Sequence, residues 1–385
     1  MRFMSETSER KSLAVVVLWL ACLAFPAVLQ AQQVMRHPDP AAPLAQRWAW
    51  AQREVRGLDA SGGAWVAYGI RRRMGEHATI RHGFYDDRRG RSLYEVLYGT
   101  PPPGGSAATN EAPNEAPSEA MRQAAKQALA RRASAEVEKD VVMLLRLGRS
   151  GRVEEVAFAN LTEPFDLGRR PLFWLAVVGD GESVSLLREE YGRAGAEALK
   201  EDLVAAVGIH DDAAHVVPFL ESVLASRAGD GLREQAAFWL GQTDDPKALR
   251  LLAAVVRGDA SRRVREHAVF GISQMDLEAA TDELIRLARS AGDHGVREKA
   301  IFWLGQKASE KAVAALRDTV FDAGDTELQE QAVFALSQLR ADDGIPLLID
   351  VAKTHPNPEV RKQAIFWLGQ SGDPRAVDLL VELVR

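Results

Sequence analysis

One short string constrains this chain more than anything else in it. The segment 364-AIFWLGQ-370 recurs as 300-AIFWLGQ-306 and, nearly unchanged, as 236-AAFWLGQ-242. Between these copies stand 268-AVFGISQ-274 and 332-AVFALSQ-338, which keep the Phe and the Gln and change the middle. Phe238, Phe270, Phe302, Phe334 and Phe366 therefore follow one another at intervals of 32 residues. The same interval links Leu232, Val264, Val296, Leu328 and Val360, and again Ala236, Ala268, Ala300, Ala332 and Ala364. A fixed period of this length marks an array in which each unit buries its apolar face only against its neighbours.

Each unit reads as two helices. The first is seen in 246-PKALRLLAAVVR-257 and 374-PRAVDLLVELVR-385, with Asp245 and Asp373 as N-caps and proline at the first helical position. The second is seen in 358-PEVRKQAIFWLGQ-370 behind Asn357 and in 262-RRVREHAVFGISQ-274 behind Ser261. Five clear units are expected. Weaker copies extend upstream through 203-LVAAVGIH-210 and 172-LFWLAVVG-179, so the array is placed at residues 180–385.

The string 360-VRKQAIFWLGQSGDPRAVDLL-380, and the units before it, resemble HEAT-like repeats of the phycobilisome-lyase type over about residues 200–385. The resemblance implies a right-handed α-solenoid with the second helices on its concave side. Members of that family include bilin lyases, an iron-dependent hydroxylase and a DNA glycosylase, alongside many scaffolds. The hydroxylase depends on paired His-Glu dipeptides, and this chain contains none. The N-terminal strands and exported context also resemble uncharacterised bacterial secreted HEAT-repeat proteins, which bring no known activity.

The N-terminal half differs in character. Arg2, Arg10 and Lys11 precede the apolar run 13–28, and Ala31 offers a small residue for cleavage. This is the layout of a secretory signal peptide, residues 1–31, and the run is short for a span of about 20 residues. The expectation is export to the periplasm or medium with cleavage after Ala31, an uncleaved anchor being the alternative. The single cysteine, Cys22, lies inside that run, so an exported mature chain would hold no disulfide.

Residues 32–98 carry β-rich stretches at 64-AWVAYGI-70 and 77-HATIRHGFY-85. Residues 99–120, rich in Pro, Gly, Ala and Glu, read as a disordered linker. Residues 121–179 read as a helix over 120–138 followed by a hairpin, 141-VVMLLRL-147 and 152-RVEEVAFAN-160 around 148-GRSG-151. The expected fold is thus mainly α, a C-terminal HEAT-like solenoid with a small N-terminal antiparallel-sheet module.

Candidate functional residues come from the angular arrangement of the second helix, at about 100° per residue. With Leu304 as reference, Ala300, Val296 and Trp303 form an apolar stripe that marks the core face. Trp239, Trp303 and Trp367 alternate with Gly271 and Ala335, as expected if a large indole fills space beside a small neighbour. Phe302 lies about 200° from Leu304, beside Lys299 and Gln306. Stacked units would align Phe238, Phe270, Phe302, Phe334 and Phe366 with Gln242, Gln274, Gln306, Gln338 and Gln370. One turn earlier stand Glu234, Glu266, Glu298 and Glu330, a series that Lys362 breaks. An apolar row rimmed by polar groups is the footprint of a protein or peptide site, and Gln can bond an extended backbone through donor and acceptor. The same Phe row could instead wedge between helices as packing, and both readings stand.

Other signals are weaker. His210 and His215, with Asp211 and Asp212, do not share a helical face at i,i+5. The basic stretches 71-RRRMGEH-77 and 86–91 read as a solvated loop. A net charge of −6 gives no general reason to expect nucleic acid. No GxSxG, Walker-type loop or Cys-His pairing appears, so no catalytic residue, metal or cofactor is assigned. The expected function is a non-catalytic protein- or peptide-binding scaffold of the cell envelope. The rivals are a bilin-lyase-like enzyme or accessory holding a small molecule, and a self-assembling repeat protein.

Overall fold

The computed structural model describes residues 33–58, 62–76, 78–83, 91–102, 136–168 and 170–384. The expected leader over 1–31, the Pro-rich stretch from 103 and most of the helix expected over 120–138 lie outside the described residues. Residues 136–138 are described, and they are strand: Glu136–Leu147 forms a single 12-residue strand, β4. Val137 and Val141 alternate with Glu136, Glu138 and Asp140, a period-2 pattern that favours a strand.

The N-terminal module is a six-stranded, mostly antiparallel sheet in the order β1-β6-β2-β4-β5-β3. Its strands are Val34–Arg36 (β1), Ala64–Gly75 (β2), Arg81–His82 (β3), β4, Val153–Asn160 (β5) and Leu172–Val177 (β6). The hairpin of β4 and β5 closes as expected, and β2 runs antiparallel to β4 from Ala64↔Leu147 to Gly75↔Glu136. β6 pairs parallel with both β1 and β2. It corrects the reading of 172–179 as a weak repeat: six apolar residues behind Pro171 are too short for a helix, and a short apolar run has no periodicity to tell the two apart. Arg71, Arg72 and Arg73 correct the loop reading as well. They prolong β2 and face Asp140, Asp211 and Glu136 respectively.

The two faces of the sheet bury separate cores, as strand alternation demands. On one face Val66, Tyr68, Ile70, Met143, Leu145 and Phe173 pack under helix α1 (Leu44–Gly57). On the other, Trp65, Ala67, Val142, Leu144 and Trp174 are covered by the short helix α2 (Leu93–Tyr98) and by Leu161, Phe165 and Leu167. The first core runs without a break into the helical array, through α3 (Asp180–Arg193) and α4 (Glu197–Gly208), a degenerate first pair.

The array continues as α5 (Ala213–Leu224), α6 (Asp230–Gly241), α7 (Pro246–Gly258), α8 (Arg262–Gln274), α9 (Glu278–Ser290) and α10 (His294–Lys307). Then come α11 (Glu310–Asp322), α12 (Thr326–Ser337), α13 (Ala341–Thr354), α14 (Pro358–Ser371) and α15 (Pro374–Val384). Asp245 accepts from the amides of Lys247 and Ala248, and Asn357 from that of Glu359, so both cap as expected. Ser261 stands at its N-cap position but turns its hydroxyl to Asp230 in the preceding unit, at 2.6 Å. No helix among the described residues is long and apolar enough to cross a membrane.

Successive second helices (α6, α8, α10, α12, α14) touch along their lengths, whereas successive first helices meet at only a few positions. A layer whose members lie closer together occupies the inside of a curve, so the second helices form the concave face.

The ends of these helices differ in strain. Gly372 closes α14 with φ 65°, and its counterpart two units upstream, Ala308, closes α10 with φ 46°. A left-handed C-cap suits glycine and costs alanine about 1 kcal/mol. Ala308→Gly is expected to raise the unfolding free energy by about 0.5–1 kcal/mol, measured by urea denaturation.

Candidate functional site: an aromatic and glutamine face on the concave layer

The five repeated phenylalanines lie on the inner layer. Phe238, Phe270, Phe302 and Phe334 are half-buried, and Phe366 is 52% exposed. They do not form an isolated ladder, because the tryptophans join them. Phe238 meets Trp239 edge-on at 5.1 Å and stacks on Phe270 at 6.1 Å with 17° between the planes. Phe270 meets Trp303 at 5.0 Å, and Trp303 meets Phe302 at 4.9 Å. Trp367 sits between Phe334 at 5.2 Å and Phe366 at 5.1 Å. Stacked and edge-to-face ring pairs each contribute about 0.5–1.5 kcal/mol beyond burial.

This alters the reading of the tryptophans. All three are half-buried and packed against the core margin rather than inside it. Trp303 and Trp367 each lean back onto the Phe of the preceding unit, and Trp239 lies against Gly208 of α4. The small residues Gly271 and Ala335 mark the other kind of step. A Cβ on Gly241 would lie 2.4 Å from the Cα of Gly271, and one on Gly305 would lie 3.0 Å from the Cβ of Ala335. The array therefore alternates close backbone crossings, α6 on α8 and α10 on α12, with steps whose outer margin an indole fills. Volume matching is the physical reason for the alternation, and it places the indoles in the same surface ribbon as the Phe row.

The glutamines run alongside. Gln242, Gln274, Gln306, Gln338 and Gln370 are all exposed. Gln274 and Gln338 donate to the adjacent Ser273 and Ser337 hydroxyls at 3.1 Å, leaving their side-chain oxygens available.

The acidic row is not a uniform rim. Glu234 is only 8% exposed, tied to Arg263 of the next unit at 3.1 Å with His267 at 3.7 Å. It is removed from the partner-facing residues, because the start of α8 covers it. Glu266 pairs with Arg262 at 2.7 Å, and Glu298 faces His294 at 3.8 Å. Glu298 and Glu330 are half-buried.

His210 and His215 are engaged separately. His210 is buried at the junction of sheet and solenoid, with Nδ1 3.1 Å from the Val207 carbonyl and Nε2 2.8 Å from Ser183 Oγ. His215 bonds Asp212 at 2.7 Å on the surface. The Tyr68–Ser183–His210 chain is invisible to sequence patterns, since its members are 115 and 27 residues apart.

Such an array of paired helices, with close-packed inner helices and a recurring inner-face motif, is an α-solenoid. A family model described as HEAT repeats matches residues 217–305, 281–354 and 313–385, so residues 217–385 of this chain are HEAT repeats. No curated protein matches the chain. Among solved structures it is similar to the complex of CpcE and CpcF of phycocyanin lyase from Nostoc, at 25% identity over 43% of this chain and 68% of that one, TM-score 0.30. Human deoxyhypusine hydroxylase is similar at 20% identity over 52% of this chain and 77% of its own, TM-score 0.24. Kap121p bound to Nup53p is similar at 14% identity, over 53% of this chain and 30% of that one, TM-score 0.27.

Proposed function

We propose that this chain is an exported, non-catalytic scaffold of the bacterial cell envelope that holds an extended segment of a partner protein along its concave face. The observation that supports this reading is the pair of Phe–Trp clusters on the inner layer, one across α6 to α10 and one across α12 to α14, flanked by exposed glutamines. Aromatic groups supply contact area at low entropic cost, and Gln can satisfy a strand-like backbone from the side. Export rests on the basic-then-apolar order of residues 2–28 and the small residue at Ala31.

A small-molecule enzyme would call for a deep cavity with converging ionisable groups at the module junction. Two cavities lie on the loop rim between units, lined by Gly258, Asp259 and Gly292 in one case and Asp322, Gly324 and Asp325 in the other.

The test is photo-crosslinking from position 306, with the captured segment then synthesised and its affinity measured. Gln306→Ala/Gln338→Ala/Gln370→Ala is expected to bind at least tenfold more weakly while keeping the wild-type melting curve, since these side chains support no core contact. Phe366→Ser is expected to weaken binding similarly, with a small loss of stability from its edge-on contact with Trp367. Unchanged affinity in both variants would sink the reading. The row of half-buried Phe residues is a poorer probe: Phe270→Ser/Phe302→Ser/Phe334→Ser also removes packing from Trp303 and Trp367 and lowers stability.

A further inference from the structure

The carboxylate–arginine pairing of the upstream inner helices does not continue past α10. In the upstream units each inner-face carboxylate meets an arginine: Glu234 meets Arg263, Glu266 meets Arg262, and Asp293 meets Arg265 at 2.5 Å. Arg233 pairs with Asp259 in the same way. Between α10 and α12 this stops. Arg297, the counterpart of Arg233 and Arg265 in the 32-residue register, keeps a buried Nε without a partner. Asp325, the counterpart of the Asp293 that pairs with Arg265, faces His294 instead.

His294 is the first residue of α10, and Asp325 is the N-cap of α12 beside it. The Nε2 of His294 lies 3.0 Å from Asp325 Oδ2 and 3.8 Å from Glu327 Oε2, and its Nδ1 lies 3.8 Å from Glu298 Oε1. Ligand atoms of His294, Glu298 and Glu327 all fall within 4.8 Å of one another. Among the described residues, no lysine or arginine forms an ion pair with Glu298, Asp325 or Glu327. Three carboxylates thus share one half-exposed imidazole at a step where the upstream units pair carboxylate with guanidinium.

We propose that His294, Glu298 and Glu327, with Asp325 as a fourth donor, bind a divalent first-row transition-metal ion of the zinc type. One imidazole nitrogen with carboxylate oxygens is a donor set that such ions accept, whereas calcium and magnesium favour oxygen alone. Bond lengths of about 2.0–2.2 Å require the four side chains to draw inward by a fraction of their present separation. His294 opens α10 and Asp325 and Glu327 open α12, while Glu298 lies one turn into α10. The ion would supply these carboxylates with the cationic partner that Arg297 does not and tie α10 to α12. The site is independent of the peptide-binding reading, and its test does not use a partner protein.

The experiment is calorimetric titration of the EDTA-stripped full chain with zinc chloride, repeated with calcium chloride. Wild type is expected to take up one zinc ion and no calcium, with a rise in melting temperature on zinc addition. His294→Gln and the nearly isosteric Glu327→Gln are each expected to weaken zinc at least tenfold. Cobalt substitution gives a second readout, with visible d–d absorption in wild type that is lost in His294→Gln. Absence of zinc uptake at millimolar concentration overturns the proposal. So does equal affinity in both variants, which would place any bound zinc elsewhere.

Discussion

Gly241→Ala is expected to lower the unfolding free energy by about 2–3 kcal/mol, although alanine is the better helix former by about 1 kcal/mol. Gly241 ends α6 and Gly271 lies within α8. The added methyl would stand 2.4 Å from the Gly271 Cα and 2.5 Å from its carbonyl oxygen. Both are backbone atoms, so no rotamer change relieves the clash, and the two helices must move apart. Separation would also strain the stacking of Phe238 on Phe270, since these rings belong to the same two helices. Gly258→Ala is the control: nothing lies within 4 Å of its Cβ position, and a gain of about 0.5 kcal/mol is expected. Urea denaturation of both variants checks the pair. Equal stability of Gly241→Ala and wild type would show that close crossing does not set the spacing of the units.

The same contact explains how much of this molecule could be read from its letters. The 32-residue register was enough to locate the paired helices, because the apolar spacing recurs at each copy and caps and prolines mark some of the starts. It also located the inner-face Phe and Gln rows. What it could not show was reach. An angular projection treats each side chain as a point, so Trp303 fell on the core stripe and Phe302 off it. An indole is long enough to leave its stripe and meet Phe270 in the preceding unit. Glu234 failed for a related reason, since the residue that covers it, Arg263, comes from the next helix. In β6 the limit was length: Leu172–Val177 is all apolar and carries no period to read. The cluster at His294 was partly legible. Asp325 follows it by 31 residues, nearly one period, so the register alone places the two on neighbouring helix starts.

The junction between sheet and solenoid is expected to weaken on mild acidification, and a single imidazole carries the effect. His210 is buried with Tyr68 and Ser183. The Val207 carbonyl can only accept, so Nδ1 carries the proton of the neutral ring. Nε2 then accepts from the Ser183 hydroxyl, which leaves Ser183 Oγ to accept from Tyr68 at 2.9 Å. A proton on Nε2 would oppose the Ser183 hydroxyl in this buried site. Burial is the main reason the His210 pKa is pushed down to about 4, and Arg72 adds to it, against hydrogen bonds from the ring to the backbone and the charge of Asp211. In the unfolded chain the same ring titrates near about 6.5. As pH falls from about 6.5 towards 4, the unfolded state takes up a proton that the native state refuses, so stability is lost across that window and no further below it. Between pH 7 and pH 5 the loss from this group is about 2 kcal/mol. His210→Gln removes the titrating ring, and its stability is expected to change less than that of wild type over the same interval. Urea midpoints of the two proteins at pH 7, 6 and 5 measure the difference directly. Parallel pH profiles would mean that His210 is protonated, or free to be, in the native junction.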